Sequence, residues 1–154
     1  MSKNTTQLEL SRPLAVDRVP RKGSHEHIVA EPKECEAIAR RFSIPILHSL
    51  DARFLTVPWR GGGLKVSGKV VVDLEQVSVV SLEPFRKMET YSVLRYFLHP
   101  KHLVDAVEDD ADPIIDGEID LGEIAAETLG LELDPYPRGL EELSVENAES
   151  DKNK

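Results

Sequence analysis

Hydrophobic and polar residues alternate along two long stretches of the chain and follow a helical period along two short ones. Leu64, Val66, Val70, Val72 and Leu74 fall on one side of an extended backbone, and Lys65, Ser67, Lys69 and Asp73 on the other, as in a half-buried strand. Upstream, Ile44, Ile46, Leu50, Ala52 and Phe54 share a face over residues 44–57, interrupted by His48, and Pro45 marks the start or an edge. Gly61-Gly62-Gly63 separates the two stretches, which together read as a β-hairpin. Beyond Glu75 the alternation is lost, because Val77, Val79 and Val80 put apolar residues on both faces; a bulge or a strand buried on both sides is predicted there. Glu83-Pro84 makes the next break. Residues 88–98 form a further strand, with Tyr91, Val93 and Phe97 on one face and Leu94, Tyr96 and Leu98 on the other.

Two segments carry the 3.6-residue period. Cys35, Ile38, Ala39 and Phe42 make one apolar stripe, with Pro32 suited to the first turn because its missing N–H is not needed there. Ile119-Asp120-Leu121-Gly122-Glu123-Ile124 opens the second helix: Asp120 caps it, Glu123 stands at the third position as in a capping box, and Ile119 with Ile124 forms a hydrophobic staple. Leu121, Ile124, Ala125, Thr128 and Leu129 point inward, and the helix is expected to stop near Gly130. Short strands are predicted at residues 10–16, confined to an edge by Pro13, and at 27–30. Residues 100–117 have no consistent period and read as a mobile acidic loop. The whole predicts an α+β domain over residues 9–138, built on an antiparallel sheet or partly closed barrel with two short helices. Disordered ends are expected at 1–8 and 139–154.

Composition narrows the setting. The 154 residues allow one domain with tails, at roughly 100 to 200 residues per domain. No apolar run approaches the roughly 20 residues of a bilayer span, and the polar start Met1-Ser2-Lys3-Asn4 leads into no signal core, so a cytoplasmic protein is expected. The single cysteine, Cys35, excludes an intrachain disulfide and any site needing two thiolates. Net charge is −9, but unevenly spread: residues 1–69 hold 12 basic against 7 acidic side chains, and residues 70–154 hold 7 against 21. That asymmetry predicts a basic binding surface beside an acidic appendage.

Catalytic and metal patterns are thin. The glycine triplet is followed by a strand, not by the helix of a phosphate-binding loop. Cys35 with His25 or His27 has the residue types of a thiolate–imidazole nucleophile, yet Cys35 belongs to the apolar stripe, where a buried, inert thiol is expected. His99, His102 and Asp105 would share a helix face, but Pro100 opposes helix at His99. The acidic residues from Asp105 to Asp120 contain no calcium-loop frame. No metal or cofactor is expected. Trp59, beside Arg60 near the hairpin turn, suits either packing at the hairpin end or stacking on a base.

Ser81-Leu82-Glu83-Pro84, followed by Ile119-Asp120-Leu121-Gly122-Glu123 and Pro135-Tyr136-Pro137-Arg138, resembles the YceD family (domain of unknown function 177, large ribosomal RNA subunit accumulation protein), in its alphaproteobacterial form. Glu34-Cys35-Glu36-Ala37-Ile38-Ala39-Arg40-Arg41-Phe42 is similar to the helix that precedes that family's first long strand. The resemblance spans about residues 10–138. Many members carry one or two cysteines just before the leucine-glutamate-proline phrase, in some a C-x-x-C pair suited to zinc. This chain has Gln76-Val77-Ser78-Val79-Val80 there, so any such metal function is absent from it.

The resemblance implies a bacterial, non-enzymatic ribosome-biogenesis factor that supports accumulation of large-subunit (23S) ribosomal RNA. Joined to the charge pattern, it makes Arg12, Arg18, Arg21, Lys22, Arg40, Arg41, Trp59, Arg60, Lys65 and Lys69 candidates for contact with RNA or with the assembling large subunit. Arg40 and Arg41 with Lys65 and Lys69 are expected to share a surface. Glu108, Asp109, Asp110 and Asp112 would repel RNA or dock a basic ribosomal protein. The alternative is an acidic adaptor or chaperone for a basic ribosomal protein or a ribonuclease, without RNA contact; a third reading is a hydrolase using His25, His27 or Cys35.

Overall fold

Three long strands form a meander at the centre of the chain, which the computed structural model describes for residues 8–102 and 111–139. They are β3 (Ile46–Trp59), β4 (Gly63–Val77) and β5 (Pro84–Leu98), paired antiparallel over almost their whole length. β2 (Ser24–Val29) adds antiparallel beside β3, and β6 (Asp112–Pro113) adds parallel beside β5, giving the order β2-β3-β4-β5-β6. β1 (Pro13–Ala15) and β7 (Glu118–Asp120) form a separate two-stranded sheet. α1 (Pro32–Phe42) links β2 to β3, and α2 (Leu121–Glu132) follows β7. The fold is α+β as expected. The five-stranded sheet stays open, with β2 and β6 as its edges, instead of closing into a partial barrel.

One face of the sheet carries the core. Leu50, Ala52 and Phe54 of β3, Leu64, Val66, Val70, Val72 and Leu74 of β4, and Val93 and Phe97 of β5 are buried beneath the helices. α1 contributes Cys35, Ile38 and Ala39, and α2 contributes Leu121, Ile124, Ala125, Ala126 and Leu129. Each large apolar side chain so buried stabilises the fold by roughly 1.5 to 3 kcal/mol. The helix starts are capped locally. The Glu31 carboxylate accepts from the amide of Glu34, whose own side chain accepts from the Glu31 amide, and Asp120 Oδ1 accepts from the Glu123 amide at 3.0 Å.

Elsewhere tertiary contacts override the pattern. A bulge between Leu47 and Ser49 shifts the start of β3, so Leu47 is buried (6 % exposed) and Ile46 is not (44 %). After Glu75 the strand keeps its parity and buries the polar Gln76 and Ser78, leaving Val77, Val79 and Val80 exposed; no doubly buried strand forms. β5 begins at Pro84, four residues ahead of the expected start, and β2 runs 24–29 instead of 27–30. Leu10, expected within the first strand, is instead fully buried where Gly122 opens α2, and a Cβ on that glycine would meet the Leu10 carbonyl oxygen at 2.6 Å. α2 passes through Gly130, which is no helix stop; the Phe42 ring occupies the place of its missing side chain. Of the expected acidic loop, residues 111–117 are structured: they include β6, the buried Ile114 and an Ile115–Glu118 bridge. Residues 1–7 and 140–154 of the ends predicted as disordered at 1–8 and 139–154, and residues 103–110 of the loop, lie outside the described residues.

Candidate nucleic-acid interface

The opposite face of the sheet has no helix over it among the described residues. Register places its side chains in rows across the strands. Val57 of β3, Lys65 of β4 and Tyr96 of β5 form the row nearest the β3–β4 turn; His25, Leu55, Ser67 and Leu94 form the next; His27, Arg53, Lys69 and Ser92 the third; Val29, Asp51, Val71 and Thr90 the fourth. Trp59, at the turn end of β3, packs against Tyr96 in a tilted pair with ring centroids 4.6 Å apart, and the Arg60 guanidinium lies 4.8 Å from the indole centroid. Arg60, Gly61 and Gly62 all have positive φ, which turns the chain tightly enough to pair Trp59 with Gly63.

Cations and apolar ground alternate across this surface. Lys65 and Lys69 make no ion pair among the described residues, and Arg53, with a side chain 76 % exposed, has Asp51 beside it at 3.6 Å. Lys65 and Lys69 are four residues apart on one strand, so about 13 Å separates them. Between them lie Leu55 and Leu94, the latter 58 % exposed. The carboxylates of this face sit toward the far end and are engaged: Asp51 with His27 at 2.8 Å, Asp73 with Arg86 at 2.8 Å, Glu75 with His48 at 2.7 Å. Hydrogen bonding from Arg86 holds the Asp73 carboxyl below the usual range.

The remaining basic candidates divide. Arg21 and Lys22 are exposed in the turn before β2, whose first residue pairs with Thr56, so they belong to the Trp59 end of the sheet. Arg18 is exposed at the end of a short 3-10 turn. Arg12 is clamped by both oxygens of Glu34 at 2.9 Å, which lowers the carboxyl's pKa and raises the guanidinium's. Arg41 is held by both oxygens of Glu123 and by Glu9 at 3.0 Å. Arg40 and Arg41, on the helix side, therefore do not share a surface with Lys65 and Lys69; the sheet lies between them.

Acidic side chains gather on the helix side. Glu9, Glu34, Asp112, Glu118, Asp120, Glu123 and Glu127 line a groove beside α2 and the small sheet, with Arg95 reaching in from β5. Arg95 bonds Asp112 at 2.7 Å and Glu127 at 3.4 Å; burial opposes its charge, but these bonds outweigh it and its pKa is raised. Burial, with the neighbouring Glu123, pushes Glu127 up. Asp112 is thus a structural partner of Arg95, while Glu108, Asp109 and Asp110 lie outside the described residues.

No thiol–imidazole pair forms. Cys35 is buried under the helices, where desolvation pushes its thiol up, and His25 and His27 stand on the outer face. His99 and His102 have rings 6.5 Å apart, and no three potential metal ligands converge among the described residues; Asp105 lies outside them.

The residues behind the YceD resemblance fall into two groups in space, one at the start of α2 and one where the tail segment meets the turn before Pro84, and most of them have a folding role. Asp120 caps α2 and accepts from Ser11 Oγ and the Arg12 amide, both at 2.8 Å; Leu121 is core; Gly122 admits Leu10; Glu123 holds Arg41. Ser78 Oγ accepts from the amides of Val80 and Ser81, and the Ser78 amide donates to the Glu83 carbonyl, closing the turn before Pro84. Leu82 is exposed there with φ of 64°. The tail segment docks on that turn: the Val79 amide donates to the Pro137 carbonyl at 2.9 Å and Gln76 Nε2 to the Asp134 carbonyl at 3.2 Å. Pro137 is buried, and its neighbours Tyr136 and Arg138 are exposed.

Arg53 and Tyr96 are the functional candidates that pattern alone misses. Arg53 follows from hairpin register, since the turn that pairs Trp59 with Gly63 also pairs Arg53 with Lys69. Tyr96 depends on the six-residue turn between β4 and β5, whose length no sequence signal specifies. In comparisons with known proteins, no family model, curated protein or solved structure matches this chain.

Proposed function

We propose that the protein is a cytoplasmic, non-enzymatic ribosome-biogenesis factor of the YceD type, which supports accumulation of large-subunit ribosomal RNA by contacting RNA through the outer face of its sheet. The observation that carries the contact is the grouping of Arg53, Lys65 and Lys69, with Arg60 and the Arg21-Lys22 turn at one end, on a face over which no helix lies among the described residues. Cations without a carboxylate partner, such as Lys65 and Lys69, gain most from phosphate, because binding releases the counterions condensed on RNA. The ribosomal assignment rests on the family resemblance.

The acidic groove beside α2 favours a second reading, an adaptor that seats a basic ribosomal protein or a ribonuclease without touching RNA. Deleting the gene and profiling ribosomal subunits on sucrose gradients tests both. A large-subunit deficit restored by wild type and by a Glu118→Gln/Glu127→Gln variant, but not by a folded Arg53→Gln/Lys65→Gln/Lys69→Gln variant, supports the RNA contact. The reverse pattern of rescue supports the adaptor, and a normal profile in the deletion strain removes the ribosomal assignment.

A further inference from the structure

We infer that the outer face takes single-stranded RNA in preference to duplex, with an unpaired base laid against the Trp59–Tyr96 pair and the sugar-phosphate chain led past Lys65 to Lys69 and Arg53. This rests on the RNA-contact reading above and adds what form of RNA is bound and how.

A duplex presents phosphates outward and hides the faces of its bases. A purely cationic surface suits it. Here the cations are interrupted by apolar side chains: Leu55 and Leu94 lie in the row between Lys65 and Lys69, with His25 and Ser67, and Val57 lies beside Lys65. Leu94 is largely exposed. Against a duplex those side chains would meet charged backbone; against a splayed single strand they meet base faces. The aromatic pair stands at the end of the same track, 4.6 Å between centroids with planes 44° apart, and Arg60 supplies a guanidinium plane over the indole. Aromatic and guanidinium planes accept any base, so the site is expected to be sequence-tolerant.

Trp59 is the chain's one tryptophan, so its emission reports the site directly. The full-length protein is titrated with a 12-nucleotide oligouridylate, a 12-nucleotide oligoadenylate and a 12-base-pair RNA duplex, following Trp59 fluorescence and the anisotropy of labelled RNA. Both single strands are expected to quench Trp59, with the duplex at least 10-fold weaker. Trp59→Ala is expected to weaken single-strand binding about 5- to 150-fold, the range for removing one base stack, while Trp59→Phe keeps most of the affinity. Because Trp59→Ala also unpacks Tyr96, the variant is compared by circular dichroism and melting temperature, and Tyr96→Phe serves as a second, milder probe expected to leave affinity within about 3-fold. Equal affinity for duplex and single strands, or tight single-strand binding with unchanged Trp59 emission, overturns this inference and leaves the RNA contact standing. Failure of all three RNAs to bind overturns both.

Discussion

On the helix-covered side of the sheet Arg12, Arg41 and Arg95 are each clamped by carboxylates, whereas on the outer face Lys65 and Lys69 meet none within ion-pair range among the described residues. The difference lies in what each face must hold together. Arg12 joins the N-terminal segment to α1, Arg41 joins α1 to α2, and Arg95 joins β5 to α2 and β6. These arginines tie together elements that also pack on the sheet through their apolar side chains. The outer face has no such element to dock among the described residues: Arg86 and Arg53 pair with Asp73 and Asp51 within the sheet itself, and Lys65 and Lys69 pair with no carboxylate. Positive charge counted along the sequence therefore overstates the binding surface, because part of it is used inside the fold.

The largest expected effect removes the scaffold common to both faces. Gly68 sits in mid-β4, where an added Cβ would overlap the Arg53 carbonyl oxygen, a backbone atom that cannot swing aside. Gly68→Ala is expected to cost about 3 kcal/mol or more, seen as a lowered urea midpoint. Because the clash is with Arg53's own backbone, RNA binding is expected to fall as well.

Next come the clamped arginines. Arg12→Met, Arg41→Met and Arg95→Met are each expected to destabilise the fold by about 1 kcal/mol, the upper range for partly exposed ion pairs, since two of the three are bidentate and the third bridges two carboxylates. RNA affinity of the folded variants should change little. If Arg41→Met instead weakens RNA binding without lowering stability, the division between the two faces is wrong.

The outer cations should behave in the opposite way. Arg53→Gln, Lys65→Gln and Lys69→Gln are each expected to leave unfolding free energy within about 0.5 kcal/mol, while the slope of log affinity against log salt flattens by about 0.7 for each phosphate of a single strand that is no longer neutralised. Salt titration of the three single variants measures this.

Much of the inner face was legible from alternation and helical period: the stripe of α1, the capping of α2 by Asp120 and the even-numbered apolar residues of β4 all form as expected. What was not legible depends on partners distant in sequence. Gly130 resembles a helix stop until Phe42 fills its place, and Val77, Val79 and Val80 look buried until the tail segment through Pro137 claims the space over Gln76 and Ser78. The site divides likewise. Lys65 and Lys69 follow from strand parity, but no local rule distinguishes the clamped Arg41 from its exposed neighbour Arg40, because Glu123 stands 82 residues away.

The smallest effects concern pH, where two carboxylates of the acidic groove oppose one another. Hydrogen bonding to Arg12 lowers Glu34 in the folded state, so the stability it contributes is complete above the unfolded value of about 4.3 and is lost as pH falls through the depressed folded value. The deficit of Arg12→Met should accordingly be full at neutral pH and shrink in acid. Glu127 runs the other way: burial and Glu123 raise it, so the folded state binds its proton more tightly than the unfolded chain does. Stability then falls as pH rises from about 4.3 through the raised value, and the loss persists at neutrality. Glu127→Gln, which can still accept from Arg95, should stabilise the protein at pH 7 by less than about 0.5 kcal/mol and have no effect near pH 4. Thermal melts of both variants between pH 2 and pH 8 would resolve it. A Glu127→Gln protein less stable than wild type at pH 7 would mean that the charge of Glu127 is needed by Arg95, placing it with the clamping carboxylates.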